Sequence, residues 1–221
     1  LNPFILEANT LQHFKFFIVC GSLCLGYADK IVKQTMYRKM LVSTCMGSLI
    51  INMWFVIPYY YTYTDHWVYA LIGTISTVSA SMAMLPDMGN MFKHKKTRLV
   101  SSITPSLIYT AWNVAFLVTP GVWDDFRTQN LICIFLPLIS VCLNGFMWRN
   151  WLHLRLVTLA VHMLITIPLY PFFKQGLYLC VDLPVTSVAL NLITIAASMC
   201  YLNQTTANRS QSQFITLKSE S

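Results

Sequence analysis

The sequence predicts an all-α fold, a polytopic membrane protein of seven transmembrane helices. Hydrophobic residues make up 56% of its 221 residues and charged residues 10%. Mean hydropathy is +0.55, a balance that a soluble domain of this size would struggle to keep in solution. Apolar stretches of about 20 residues, the length that crosses a hydrocarbon core, recur along the chain. The positive charge between them gathers on alternate connections.

The spans fall at residues 12–29, 40–62, 66–86, 99–119, 130–148, 154–173 and 176–202, a single domain over 1–202. Residues 1–10 lack the basic region and apolar core of a secretory signal, so the first span is expected to direct insertion. Residues 203–221, rich in Ser, Thr, Gln and Asn, are expected to be a disordered cytoplasmic tail.

Charge sets the orientation, because cytoplasmic loops carry the excess of Lys and Arg. Lys30, Lys33, Arg38 and Lys39 occupy the first connection and Lys93, Lys95, Lys96 and Arg98 the third. Arg149 and Arg155 flank the fifth, and Arg209 and Lys218 lie in the tail. The other side holds Lys15, Arg127 and Lys174, beside Glu7, Asp65, Asp124 and Asp125. The N-terminus is therefore expected outside or in a lumen and the C-terminus in the cytoplasm. The net charge of +7 is a topology signal, with no nucleic-acid partner implied. Lys93, Lys95, Lys96 and Arg98 could also attract anionic lipid, at about 1 kcal/mol for each well-placed cation.

Tyr59, Tyr60, Tyr61, Tyr63, Trp67 and Tyr69 crowd one outer connection, and Trp148 and Trp151 bracket an inner one, as interfacial anchors do. All seven cysteines lie inside predicted spans, Cys20 and Cys24 on one helix face, so neither a disulfide framework nor a metal site is expected. Asn203-Gln204-Thr205 and Asn208-Arg209-Ser210 match the glycosylation pattern, but the orientation puts them in the cytoplasm.

Within the spans, polar residues return every three or four positions. Span two has Thr44, Ser48 and Asn52, and span three the small-residue ladder Gly73, Thr77 and Ser81. Span four has Ser102, Ser106 and Asn113, and span five has Ser140 and Asn144 beneath Pro137. Span six has Arg155, Thr158, His162 and Thr166; span seven has Ser187, Asn191, Thr194 and Ser198. The economical arrangement turns these edges inward and leaves the large apolar residues to lipid. The edges serve either as hydrogen-bond glue between helices, about 0.6 kcal/mol per contact, or as the wall of a wet cavity.

Two titratable groups point to the second use. Asp182 lies in the outer quarter of span seven, two residues before Pro184, which is read as interrupting that helix. His162, at mid-span, could pass a proton near neutrality. The candidate ligand or ion site is therefore Asn52, Asn113, Asn144, His162, Asp182 and Asn191, with no cofactor and no metal. Pro58, read as ending span two, Pro105, Pro137, Pro168, Pro171 and Pro184 would supply kinks of the kind that alternating-access carriers use.

A shift of 110 residues sets span two on span six and span three on span seven without a gap, pairing Met53 with Met163, Pro58 with Pro168 and Tyr60 with Tyr170. The implied plan of three helices, a linking fourth and three more is similar to the parallel-repeat layout of SWEET-type sugar carriers, in layout alone. No metalloprotease, nucleophile-elbow or phosphate-loop pattern occurs.

The leading expectation is thus a small carrier or channel-like protein with a polar midplane site, proton-linked through His162 and Asp182. A seven-span receptor or an assembly subunit is the second class, and an intramembrane lipid-modifying enzyme built on those two residues the third. Expected partners are the bilayer, a small solute or lipid ligand, and further copies of this chain or another membrane protein. The sequence does not choose between plasma membrane and endomembrane.

Overall fold

The computed structural model describes residues 35–64, 66–93, 103–120 and 183–219, together with Gly21, Val157, Thr158 and Val161. Predicted spans one, five and six lie outside the described residues apart from those last four positions. The described part is all helical. It comprises α1 (Thr35–Trp54), α2 (Val56–Tyr63), α3 (Trp67–Lys93), α4 (Ile103–Leu117) and α5 (Pro184–Ser219).

Segments α1 and α2 form one interrupted helix. Phe55 between them keeps helical torsions, φ −63° and ψ −14°, and its N–H donates to the Ile51 carbonyl at 3.1 Å. Pro58 accounts for the irregularity, since it has no N–H for the Trp54 carbonyl and its ring crowds that group. Pro58 therefore does not end the second span, as its sequence position suggests. It disturbs the helix one turn earlier, and the chain stays helical to Tyr63.

Pro184 opens α5, at the first-turn position where a missing N–H breaks no bond; the residues before Leu183, on which an interruption of the seventh span would show, lie outside the described ones. From there no Gly or Pro occurs through Ser219. The helix accordingly runs through Leu202 and over 203–219, residues whose composition suggests a disordered tail. At 36 residues it is about 54 Å long. The apolar stretch of the third span ends at Pro86 as expected, while its helix continues to Lys93.

The second helix pair is fixed by its contacts. Trp54 Nε1 donates to Ser81 Oγ at 3.2 Å, while Tyr60 lies against Gly73, so α1–α2 runs antiparallel to α3. Tyr60 also meets Phe116 edge to face, with ring centroids 5.5 Å apart, and Trp112, one turn earlier on α4, reaches Thr77, one turn later on α3. Hence α4 is antiparallel to α3. Ser187 sits at the far end of α4, beside Ala115 and Thr119, and α5 then packs along both α4 and α3. It is antiparallel to the former and parallel to the latter.

Tyr60 is not an interfacial anchor, as its place in the sequence suggests: Tyr61 and Trp67 are 60% and 73% exposed, but Tyr60 is fully buried. Its ring covers Gly73, where a Cβ would collide with the ring atoms. The core around it contains Leu49, Met53, Ala80, Ala83, Met84, Trp112 and Phe116.

Among the described residues two helices are long and apolar enough to cross a membrane by length and composition, over Trp67–Pro86 and Pro184–Asn208. Only 44% and 22% of their most apolar stretches are buried, whereas the core helix of a water-soluble domain is mostly covered. On α3 the outward face is Leu71, Ile75, Val78, Met82 and Leu85, residues that fall within about 100° of one another around the helix.

Candidate functional site

The polar residues of the described helices divide into satisfied contacts and orphans. On α3 the ladder of Gly73, Thr77 and Ser81 is the docking edge. Gly73 makes room for Tyr60, Thr77 Oγ1 accepts from Trp112 Nε1 at 2.8 Å, and Ser81 Oγ accepts from Trp54 Nε1 and lies 3.8 Å from Met53 Sδ. Each small side chain meets a large one, which lets the helices approach closely while the indole N–H groups find acceptors.

Helix α5 is turned inside out relative to a water-soluble helix. Its buried residues over the apolar stretch are Ser187, Asn191, Thr194 and Ser198, all polar. Its exposed residues include Val185 at 81%, Leu192 at 53%, Ile193 at 57% and Met199 at 59%. Spacings of four, three and four residues keep the polar set on one stripe. Ser187 ties that stripe to α4, its Oγ lying 2.7 Å from Thr119 Oγ1 and 3.2 Å from the Ala115 carbonyl. The Leu183 N–H adds a backbone bond to the Val118 carbonyl at 3.2 Å.

Hydroxyls in these helices mostly return to the carbonyl four residues back. Thr74, Thr77, Ser81, Thr110, Thr194 and Ser198 all do so at 2.7–2.8 Å. Ser76 does not: its Oγ is buried and has no partner. Asn191 is half satisfied. Its Nδ2 donates to the Ser187 carbonyl at 3.0 Å. A carbonyl can only accept, so this bond fixes the amide orientation and leaves Oδ1, buried and unpartnered, as the outward atom. Each such orphan costs about 1–3 kcal/mol if nothing occupies the space before it. The Tyr60 hydroxyl lies beside Thr77 without a hydrogen bond of good geometry.

Heights follow from the cross-helix contacts. Phe116 shares Tyr60 with Gly73, and Trp112 shares a hydrogen bond with Thr77, so Asn113 stands level with Ser76. Asn191 is one turn past Ser187, which meets Ala115 and Thr119, and therefore comes to the same level within about one turn. Asn52 is elsewhere. It precedes Met53, which meets Ser81, and so stands more than a turn from Ser76, half-buried and with its own unpartnered Oδ1.

Of the six candidate residues, three are thus located: Asn113 and Asn191, buried and within about one turn of each other in height, and Asn52, apart from them. Asn144, His162 and Asp182 lie outside the described residues. So do the side chains of Lys93, Lys95, Lys96 and Arg98. Ser76, Thr110 and Thr119 are also buried polar residues; of these Thr110 continues the spacing of Ser106 and Asn113, a signal present in the sequence. Among the described residues no group of three or more His, Cys, Asp or Glu comes together; Cys200 is an exposed thiol. Compared with protein-family models, curated proteins and solved structures, the chain matches none.

Proposed function

We propose that this chain is a multi-pass membrane carrier whose helices enclose a polar site at mid-depth. The observation that carries the reading is α5, with Ser187, Asn191, Thr194 and Ser198 buried while Leu192, Ile193 and Met199 are exposed. Such a helix suits lipid outside and a polar interior within. Unpartnered Ser76 Oγ and Asn191 Oδ1 in that interior favour an occupant. The reading takes seven spans with the N-terminus outside, the topology that the basic connections imply. The parallel direction of α3 and α5 suits a three-plus-one-plus-three repeat. Asn113, Asn144 and Asn191 would contact the solute; His162 and Asp182 would carry the linked proton. Lys93, Lys95, Lys96 and Arg98 would lie against anionic lipid on the inner face.

The test is solute uptake by proteoliposomes holding the full chain. Uptake abolished by Asp182→Asn or His162→Ala is the expected result, whereas ligand binding without flux would make the protein a receptor. A structural subunit is the second reading, favoured by the Thr77–Trp112, Ser81–Trp54 and Thr119–Ser187 hydrogen bonds, which serve helix packing. It predicts that neither substitution matters beyond stability.

A further inference from the structure

We infer that Ser76 Oγ and Asn191 Oδ1 are two walls of one hydrogen-bonding site between α3 and α5, and that it takes a small neutral O–H or N–H donor. The inference rests on the carrier reading for the route by which a solute would arrive. The site itself rests on geometry alone.

Ser76 lies one residue, about 100° around the helix, from Thr77. The edge at Gly73, Thr77 and Ser81 is taken by α1, α2 and α4. The edge carrying Ser76, Ala80 and Ala83 is buried too, and among the described helices α5, which makes the largest contact with α3, is the one left to cover it. On the α5 side the buried stripe includes Asn191, within about one turn of Ser76 in height. Both residues are at least nine-tenths buried, at 0% and 2% exposure. Buried polar atoms almost always have a partner, and here two of them without one stand within about one turn of each other in height on helices in contact.

The chemistry of the pair selects the occupant. Asn191 Oδ1 only accepts, because the amide nitrogen is held by the Ser187 carbonyl. Ser76 Oγ, not bound to the carbonyl of Ile72 as its neighbours' hydroxyls are to theirs, can accept or donate. A ligand that bridges them must offer a proton to Asn191. Among the described residues of α3, α4 and α5 the buried polar side chains are all uncharged hydroxyls and amides. A neutral donor such as water, an alcohol or a primary amide meets that wall without an unbalanced charge.

A double-mutant cycle on the full chain in lipid nanodiscs tests the site without recourse to flux. If the two atoms share an occupant, Ser76→Ala lowers the unfolding midpoint, by about 3 °C for a chain of this size, and the loss vanishes in an Asn191→Leu background. If they are separate empty orphans, Ser76→Ala leaves the midpoint unchanged or raises it, or acts equally in both backgrounds, and the inference is overturned. A second arm identifies the occupant. In a variant with the native cysteines replaced, Ser76→Cys is treated with a small hydrophilic thiol reagent in the presence of acetamide or ethylene glycol. Protection by either supports a solute at the site; no protection assigns it to water. Coupling without uptake in proteoliposomes would sink the carrier reading and leave the site standing. Uptake without coupling would do the reverse.

Discussion

Trp112 Nε1 donates a hydrogen bond of 2.8 Å to Thr77 Oγ1, with both side chains buried. The bond joins α4 to α3 at the level of Ser76 and Asn113, with Asn191 within about one turn of it, so it holds the geometry of the candidate site. Thr77→Val keeps the shape and removes the acceptor, leaving an indole N–H buried without a partner. We expect a loss of about 1–2 kcal/mol in detergent unfolding titrations. Thr77→Ser should restore most of it, and Trp112→Phe should cost less in the Thr77→Val background than alone.

Gly73 is required by Tyr60 rather than by backbone torsion. A Cβ at residue 73 would collide with the Tyr60 ring, and that ring also holds Phe116. Gly73→Ala should therefore destabilise by about 1–3 kcal/mol through forced repacking. Combining it with Tyr60→Leu should abolish the penalty, a coupling that a double-mutant unfolding cycle measures directly.

Ile75 stands at 43% exposure in the middle of the apolar face of α3. On a water-facing helix Ile75→Arg would change stability by no more than about 0.5 kcal/mol. Facing lipid at mid-span it should cost about 2.5–3.5 kcal/mol of insertion free energy. The fraction of α3 integrated into microsomes, read by glycosylation tags on either side, separates the two cases.

Among the described residues the helices and the inward edges of α3 and α5 are legible because periodicity is a local property, whereas the polar edge of span two is not turned wholly inward: Thr44 is exposed. Gly73, Thr77 and Ser81 were identified as a docking ladder, and Ser187, Asn191, Thr194 and Ser198 as one stripe, from spacing alone. Partners were not legible, since Trp112 is 35 residues from Thr77 and nothing local selects it. Tyr60 was misjudged for the same reason: in a run of three tyrosines beside a turn, only the glycine across the helix pair marks which ring goes inside. Ser76 is not legible as a site residue because a single serine on a helix usually satisfies itself against its own backbone, and its exception exists only in three dimensions. The effect of a proline depends on its position within the turn, so Pro58 disturbs a helix that its sequence position suggests it ends.

The central claim is that α5 meets lipid with its apolar face and turns its polar face inward. Spin labels placed singly along residues 185–200 in proteoliposomes, read by power saturation against oxygen and a water-soluble nickel complex, test it most directly. The account predicts high oxygen and low nickel accessibility at Leu192, Ile193 and Met199, and low accessibility to both at Thr194 and Ser198. High nickel accessibility at Leu192, Ile193 and Met199 would put that face in water and contradict it.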